Sequence, residues 1–459
     1  MIIDKSLQRI TLLLVGLAAF LIPFMGSSLN LALPLIQRDL MVNIILLGWI
    51  PTAFVLANAA FVLPFGRLAD IYGRRKIFTY GVFIYTLASF FAAISISGEM
   101  LIFFSFLQGL GCSMLFATMV ALLSSVFPME RRGEALGLYV TAVYIGLFMG
   151  PLLGGLLIQY LGWRSIFLFN IPIGLILISI LFWKFKMEWA ESSGDKFDLK
   201  VAAIYIVSIA AILYGFSSVL DNLGRIILLA GILGISLFIF VDNRSDSPLI
   251  SLSIFKNSKS SFTALSMLLL NTAISAIPTF LSLYLQFLRG FQPYYAAIIL
   301  AVQPLMVALL SPTVGRAADR MDNRFLPVIG LVLITLGLLV LSILKQNTPL
   351  VIPILALLII GAGQAMFSSP TTRTFMGSVQ SKIYGAASSV FSTTIYLGQT
   401  LSLGILILVF TLYLGKVNVN PSNYTIFLES LQTAFLIFTI ISGLSVLSSL
   451  LVGKTNRTN

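Results

Sequence analysis

Long apolar runs, each separated from the next by a short polar stretch, recur along the whole chain. A run of about 20 apolar residues is long enough to cross the hydrocarbon core of a bilayer as an α-helix. The chain holds fourteen such runs, centred near Ala18, Leu56, Thr86, Leu115, Gly146, Leu175, Ala210, Gly234, Leu270, Gln303, Leu336, Leu358, Gly398 and Ser442. The pattern therefore predicts an all-α polytopic membrane protein with fourteen transmembrane helices.

The basic residues are distributed unevenly between alternate loops. Lys and Arg are more frequent in cytoplasmic loops than in outer loops, so their distribution indicates orientation. With the N-terminus in the cytoplasm, only six of the 28 basic residues fall in outer loops, namely Arg38, Arg164, Arg225, Arg289, Lys345 and Lys416. We therefore expect a multi-pass protein of the cell membrane with both termini in the cytoplasm.

The composition excludes a soluble protein and most catalytic chemistry. Hydrophobic residues make up 58% of the chain and charged residues 10%, against about 25% charged in soluble domains. The sequence has no histidine, no Walker loop and a single cysteine, Cys112, so it has no catalytic, metal-binding or disulfide pattern. We predict no enzymatic activity, no cofactor, no metal site and no nucleic-acid partner. The expected partners are the lipid bilayer and a small molecule.

A charged motif occurs twice, between apolar runs. It reads GRLADIYGRRK from Gly66 to Lys76 and, less completely, GRAADRMDNR from Gly315 to Arg324. The repetition indicates two related halves, and we expect each copy to link two helices at the membrane surface. An acidic group beside the positive end of a helix, with arginines near it, could act as a latch that opens and closes. The predicted latch residues are Gly66, Asp70, Gly73, Arg74, Arg75, Asp319 and Arg320. The alternative is a solvated loop that only carries positive-inside charge.

Two long polar segments divide the chain. They run from Lys184 to Lys200 and from Asp242 to Lys259, and they bracket the seventh and eighth apolar runs. We expect a six-helix bundle over 1–186, a linker with two extra transmembrane helices over 187–259, and a second six-helix bundle over 260–459.

A glycine-rich helix is predicted near the middle of the first half. Gly146, Gly150 and Gly154 recur every four residues, so they share one helix face and allow a close helix approach. Pro151 removes a backbone donor and tends to bend a helix, and Gly155 follows the third glycine. A flat, bent helix suits a moving interface between two bundles. The alternative is a packing helix without a role in transport.

These motifs resemble those of the major facilitator superfamily. Its signature loop is similar to Gly66–Lys76, and its antiporters share the element that Gly146–Gly155 matches. Trp163–Gly174 also resembles the fourteen-span drug:proton antiporter branch of the superfamily, and so do Trp49, Thr52, Leu56 and Pro64. The resemblance implies two bundles, alternating access and a central cavity between them.

Two positions depart from that branch. Met25 stands where the branch has an Asp in its first helix, and Ser105 stands where its fourth helix has an Arg. Both missing groups are of the kind that binds or relays a proton in a membrane. Proton coupling is therefore left open, and the candidate routes for it are Asp39, Glu134 or the solute itself.

The implied cavity is apolar, with uncharged polar groups along it. The candidate path residues are Ser27, Asn30, Asn58, Gln108 and Tyr144 in the first half, and Asn271, Gln303, Gln364, Tyr396 and Gln399 in the second. For each, the alternative is an interhelical hydrogen bond, which contributes about 0.6 kcal/mol on average.

Taken together, the residues and the resemblance predict a monomeric secondary transporter that exports a lipophilic or amphipathic small molecule. One alternative is an uncoupled or uptake facilitator of a neutral solute, favoured by the uncharged Met25 and Ser105. The other is a membrane sensor built on a transporter scaffold, which would not move a solute.

Overall fold

The structure, a computed structural model, describes residues 5–185, 187–190, 192, 194–245, 248–249, 254–255, 257–320, 325–378 and 384–452. Side chains are described for these residues except at 129–130, 133, 312, 315–320, 377 and 384–389. Regular structure in the described residues is helical throughout. The α-helices are α1 (Lys5–Leu40), α2 (Ile44–Tyr72), α3 (Arg74–Ala93), α4 (Gly98–Val126), α5 (Met129–Leu161), α6 (Arg164–Trp183), α7 (Leu199–Ser217), α8 (Asn222–Asp242), α9 (Ser258–Ile274), α10 (Ile277–Leu283), α11 (Pro293–Leu300), α12 (Val302–Arg320), α13 (Phe325–Ser342), α14 (Val351–Gly377), α15 (Tyr384–Tyr413) and α16 (Tyr424–Leu450).

Fourteen helical segments of the described chain are long and apolar enough to cross a bilayer. Three of them are composite. The span Pro421–Leu450 joins a 3-10 helical turn at Pro421–Asn423 to α16. The span Ser258–Leu288 joins α9, α10 and a π-helical turn at Tyr284–Leu288, and the span Pro293–Ser311 joins α11 to the first part of α12. Each of the fourteen predicted apolar runs lies in its own span, so the expectation of fourteen spanning helices is confirmed.

The chain forms two compact units. Unit 1 comprises residues 1–42 and 46–249, and unit 2 comprises residues 43–45 and 250–459. In unit 1, α1 packs on α5, and α3 packs on both α4 and α6. In unit 2, α9 packs on α15 and α16, while α14 packs on α12 and α13.

Small residues bring the helices of each unit close together. A Cβ atom on Gly111 of α4 would lie 2.6 Å from the backbone nitrogen of Tyr85 in α3. In unit 2, a Cβ atom on Gly363 of α14 would lie 2.8 Å from the Cγ1 atom of Ile334 in α13. Lipid tails are as apolar as the side chains, so helices in a membrane associate through close packing and interhelical hydrogen bonds.

The extra pair α7–α8 lies in unit 1. The two helices touch closely, since a Cβ atom on Gly231 of α8 would lie 2.7 Å from the backbone nitrogen of Ile212 in α7. The Tyr205 hydroxyl of α7 donates a hydrogen bond of 3.0 Å to the Ala59 carbonyl of α2. The buried residues of α8 are few, namely Gly224, Gly231, Phe238 and Asp242. The pair is thus anchored to unit 1 through α7, and most of α8 faces outward.

Candidate functional site

The first charged motif lies at the junction between α2 and α3. α2 continues through Gly66 and Asp70 to Tyr72, and α3 begins at Arg74. Gly73 is the single residue between the two helices, and its φ of +118° favours glycine. The connection is therefore much shorter than predicted, and the prediction that Gly66 belongs to it is wrong. Ala69 belongs to a buried apolar cluster on which Phe65 and Leu68 also pack, so the buried face of α2 continues past Gly66.

The Arg74 side chain joins three helices at this junction. Its Nε and Nη2 atoms lie 3.1 and 2.9 Å from Asp70 Oδ1 in α2. Its Nη1 atom donates to Ser125 Oγ of α4 at 2.7 Å. The Arg74 side chain is buried, with 8% exposure, while that of Asp70 is 37% exposed. Hydrogen bonds that link ionised groups are stronger than neutral ones, so this arrangement fixes α2 and α3 against α4.

Arg75 has different partners from Arg74. Its backbone nitrogen donates to Glu188 Oε1 at 2.8 Å, and its Nη2 atom lies 3.3 Å from the Leu181 carbonyl. Glu188 thus supplies the acidic group at the positive N-terminus of α3. Sequence reasoning missed this residue, because a single Glu in a mixed polar segment carries no recognisable pattern.

The second copy of the motif lies largely outside the described side chains. α12 extends through Asp319 and ends at Arg320. Residues 321–324 and the side chains at 315–320 lie outside the described part of the chain. The proposed pairing of Asp319 and Arg320 therefore stays a prediction.

The glycine face of α5 packs against α1. Cβ atoms on Gly146 and Gly154 would overlap Phe20 and Ser28 of α1, and one on Gly150 would lie 2.7 Å from Ser27 Cβ. The Ser28 hydroxyl lies 2.8 Å from the Gly150 carbonyl, to which it donates a hydrogen bond. Pro151 lies inside α5, and Pro151 and Gly155 are both buried. The close approach predicted from the glycine spacing is therefore found, and it lies inside unit 1. A role for this helix at a moving interface between bundles stays a prediction.

Two candidate path residues of unit 1 are engaged in buried interhelical hydrogen bonds. Asn58 Nδ2 of α2 lies 3.4 Å from Cys112 Sγ of α4, and Gln108 Nε2 of α4 donates to Ser89 Oγ of α3 at 2.7 Å. Asn58 is 2% exposed and Gln108 is 1% exposed. These contacts correspond to the alternative role considered for both residues.

The other candidates of unit 1 are more accessible. Ser27, Asn30 and Tyr144 are half-buried on α1 and α5. Asn30 Nδ2 donates to the Gly26 carbonyl one turn earlier, at 3.1 Å. These three side chains keep part of their surface exposed, and their role in a solute path stays a prediction.

Both positions that depart from the antiporter branch are fully buried. Met25 Sδ accepts a hydrogen bond of 3.3 Å from Asn170 Nδ2 of α6. The Ser105 Oγ atom and the Asn170 Oδ1 atom are buried and have no hydrogen-bond partner among the described residues. The interior of unit 1 therefore has uncharged groups at both positions, which is consistent with a poorly charged solute path.

The candidates of unit 2 lie at two helix contacts. Gln303 Nε2 of α12 donates to Gln364 Oε1 of α14 at 3.1 Å. Asn271 of α9 lies against α15, because a Cβ atom on Gly398 would lie 2.7 Å from Asn271 Cβ. The neighbouring candidates on α15 are Tyr396, which is buried, and Gln399, which is half-buried.

An interruption in a spanning helix of unit 2 was not predicted. α9 ends at Ile274 and α10 begins at Ile277, just before Pro278. Ser402 Oγ of α15 accepts a hydrogen bond of 2.9 Å from the Ala276 backbone nitrogen at the break. Broken helices occur in membranes where other groups satisfy the freed backbone, and they often mark moving or binding segments. The Ile-Pro pair was the available signal for this break.

The candidate site has features expected of a transporter, and the part of it that the structure describes holds no cluster that could bind a metal. No group of three or more His, Cys, Asp or Glu side chains that could hold a metal ion lies together among the described residues. The geometry consists of a charged junction, a tight glycine contact and uncharged polar groups between spanning helices.

Comparison with known proteins agrees with these features. The sequence profile described as "Major Facilitator Superfamily" matches residues 15–403. The chain is 29% identical over 387 residues to the riboflavin transporter RibZ of Clostridioides difficile, covering 84% of each protein. It is 30% identical over 408 residues to the multidrug resistance protein Stp of Mycobacterium tuberculosis, covering 87% of this chain and 75% of that protein.

Solved structures share the fold at low sequence identity. A peptide transporter, POT, in complex with sulfate superimposes with a TM-score of 0.70 at 14% identity, covering 97% of this chain and 96% of that one. The nucleoside transporter NupG, solved as a point mutant, gives a TM-score of 0.66 at 15% identity, covering 97% and 100%. At this identity the similarity concerns the fold alone.

Proposed function

Because this chain belongs to the Major Facilitator Superfamily and is a multi-pass membrane transporter, we propose that it exports an amphipathic or lipophilic small molecule. The observation that carries the proposal is that two buried positions of unit 1, Met25 and Ser105, hold uncharged side chains. Met25 and Ser105 are both fully buried, and neither is ionisable. A carboxylate or guanidinium would be needed to compensate a multiply charged solute in this environment, where unpaired charge is costly.

The relatives support export of such a solute. Stp is named a multidrug resistance protein, and another relative, from Streptomyces glaucescens, is named "Tetracenomycin C resistance and export protein". The half-buried Ser27, Asn30 and Tyr144 offer hydroxyl and amide groups next to apolar surface. Such groups can orient an amphipathic molecule without binding it as an ion.

The coupling ion is part of the proposal to be tested. Asp39 and Glu134, the two acidic residues considered for coupling, are already paired. Asp39 accepts hydrogen bonds from Trp163 Nε1 and the Arg164 guanidinium, and Glu134 pairs with Arg131. A proton exchanged for the solute would require one of these pairs to open; otherwise the proton would have to be carried by the solute itself.

The test uses purified full-length protein in liposomes with an imposed pH gradient. Ethidium serves as the lipophilic cation and riboflavin as the neutral aromatic probe, and protein-free liposomes are the control. We expect at least one probe to move against its concentration gradient when the pH gradient is present. The proposal is overturned if neither probe moves in vesicles that contain folded protein.

A second function is favoured by the same uncharged positions and by the relative named for riboflavin transport. In this alternative the protein is an uncoupled facilitator of a neutral aromatic solute. Riboflavin flux would then be equal with and without the pH gradient, and internal riboflavin would accelerate uptake of labelled riboflavin. Accumulation that requires the gradient would exclude this alternative.

A further inference from the structure

A polar segment far from the charged motif in sequence lies directly across it. We call this segment the strap, and it comprises residues 187–190, 192 and 194–195. Its backbone bonds to both helices at the junction. The Ser192 nitrogen donates to the Asp70 carbonyl of α2 at 3.0 Å, and the Trp189 carbonyl accepts from the Arg74 nitrogen of α3 at 2.9 Å. The strap thus supplies a donor to the end of α2 and an acceptor to the start of α3.

Glu188 occupies the space at the junction itself. A Cβ atom on Gly73 would overlap the Glu188 carboxylate, so the strap lies in van der Waals contact with this residue. Glu188 Oε1 also accepts a hydrogen bond of 2.8 Å from the Arg75 nitrogen. The first backbone N–H groups of a helix have no partner within it, and an acidic side chain there is stabilising.

The strap is fixed on both sides of Glu188. The Phe185 and Trp189 rings lie 5.6 Å apart, and both side chains pack on the core of unit 1. On the other side, the Arg67 guanidinium of α2 donates to Ser192 Oγ at 3.2 Å and to Asp195 Oδ2 at 2.7 Å. The contact therefore involves apolar packing, an ion pair and backbone hydrogen bonds.

The same stretch of chain leads into the extra helix pair. α7 begins at Leu199, and its Tyr205 bonds to the Ala59 carbonyl of α2. At the other end of α7, the ring of Tyr214 lies 6.3 Å from that of Trp49 in α2. The strap and α7 therefore follow α2 along most of its length.

We infer that the strap, with Glu188 as its positioning residue, sets the conformation of the α2–α3 junction during transport. The junction has one non-helical residue, Gly73. The strap accepts hydrogen bonds from the backbone amides of the next two residues, Arg74 and Arg75. When the strap is bound, it couples the position of the extra helix pair to the charged motif. When the strap is released, the angle between α2 and α3 is free to change. The inference rests on the proposed transport function for its consequence, but its structural part can be measured without a solute.

The structural part is tested by hydrogen exchange with mass spectrometry on the full-length protein. In Glu188→Ala the Arg75 amide loses its acceptor, and we expect the peptide across Gly73 to exchange about fivefold faster. Glu188→Gln keeps an acceptor oxygen and should stay within about twofold of the wild type. Asp198→Ala is the matched control. Asp198 caps α7 by accepting from the Lys200 and Val201 amides, so its loss should affect only that peptide.

Transport in liposomes, with ethidium and riboflavin as probes, tests the consequence. We expect Glu188→Ala to lower kcat about fivefold and leave KM within about twofold, with Glu188→Gln restoring most of the rate. Equal exchange at Gly73 in the wild type and Glu188→Ala would overturn the inference. Faster exchange with unchanged kcat would also overturn it, because the strap would then protect the junction amides without affecting transport. If the wild type moves neither probe, the proposed function fails, and the exchange contrast with Asp198→Ala still decides whether the strap holds the junction.

Discussion

Two separate features of the structure favour glycine at position 73. Its φ of +118° is strained for other residues, and the Glu188 carboxylate fills the position of a side chain. Gly162, between α5 and α6, has a φ of +79° with nothing within 4 Å of a Cβ atom. A substitution at Gly162 therefore measures the cost of backbone strain alone, whereas one at Gly73 adds the cost of side-chain overlap.

We predict that Gly73→Ala destabilises the protein by about 1–3 kcal/mol and Gly162→Ala by about 1 kcal/mol. The larger effect at position 73 adds the overlap with Glu188 to the backbone strain. Thermal unfolding in detergent measures both variants. Adding Glu188→Ala to Gly73→Ala should recover part of the loss, and equal melting temperatures for the two single variants would contradict the overlap.

At the residue scale the sequence revealed the charged groups but not all of their partners. Asp70 and Arg74 are only four residues apart in the sequence, so their pairing could be anticipated. Glu188 is 113 residues from Arg75, and no periodic pattern links them. Asn58 and Gln108 illustrate the reverse case. Their residue types suggested a solute path, whereas burial against Cys112 and Ser89 depends on packing that composition does not encode.

The packing of α1 on α5 depends on an uninterrupted glycine face. Gly154 leaves room for Ser28, and the Ser28 hydroxyl bonds to the Gly150 carbonyl. Gly137 lies on the same helix with nothing within 4 Å of a Cβ atom. A larger side chain should therefore be more harmful at position 154 than at position 137.

We expect Gly154→Val to destabilise the protein by about 1–3 kcal/mol, because overpacking would separate α1 from α5. Gly137→Val, the control, should change stability by less than about 1 kcal/mol, since a side chain there meets open space. Melting temperature and the yield of monodisperse protein measure the difference. Equal loss in both variants would indicate that valine is harmful in α5 regardless of its contacts.

The break between α9 and α10 depends on a partner from another helix. The Ala276 amide donates to Ser402 Oγ, which is fully buried, so its removal leaves a backbone donor without a partner. Ser445 is a suitable comparison. It is also fully buried, but it donates to the Ser266 carbonyl, which belongs to a regular helix.

We predict that Ser402→Ala costs about 1–3 kcal/mol and Ser445→Ala about 0.6 kcal/mol. Hydrogen exchange around residue 276 should rise in Ser402→Ala and stay unchanged in Ser445→Ala. Unchanged exchange in both would show that water or another group can replace the serine.

At the element scale the apolar pattern located every span but not the interruptions inside them. A bilayer requires about 20 apolar residues per helix whether or not the helix is continuous, so hydropathy does not report a break. The break near Ser275 depends on the Ser402 side chain of α15, and the π-helical turn at Tyr284–Leu288 lies within the same span. Gly66 was assigned to a loop because charge usually marks the end of a span, yet α2 continues to Tyr72.

The whole chain should have both termini in the cytoplasm. Fourteen spans, an even number, place them on the same side, and the basic residues concentrate in the loops of that side. A green fluorescent reporter fused after residue 459 should therefore fluoresce, whereas an alkaline phosphatase fusion there should be inactive. Activity of the phosphatase fusion would reverse the orientation or require an odd number of spans.

The two copies of the charged motif should contribute unequally to transport. The first copy keeps the full arginine set, and Arg74 joins Asp70 to Ser125. The second retains Asp319 but has Asn323 at the position that corresponds to Arg74. We predict that Asp70→Asn lowers the transport rate about tenfold and Asp319→Asn about threefold or less. Rates in liposomes at equal protein content measure the effect, and a larger loss for Asp319→Asn would contradict the ranking.

Cys112 is the only cysteine in the 459 residues, and it is completely buried beside Asn58. A polar maleimide dye has no access to such a thiol. A single cysteine introduced on an exposed loop would therefore be the one reactive position, without prior removal of the native residue. Fluorophores could be attached in pairs at chosen positions, so that distance changes in single molecules can be followed in the otherwise unaltered protein.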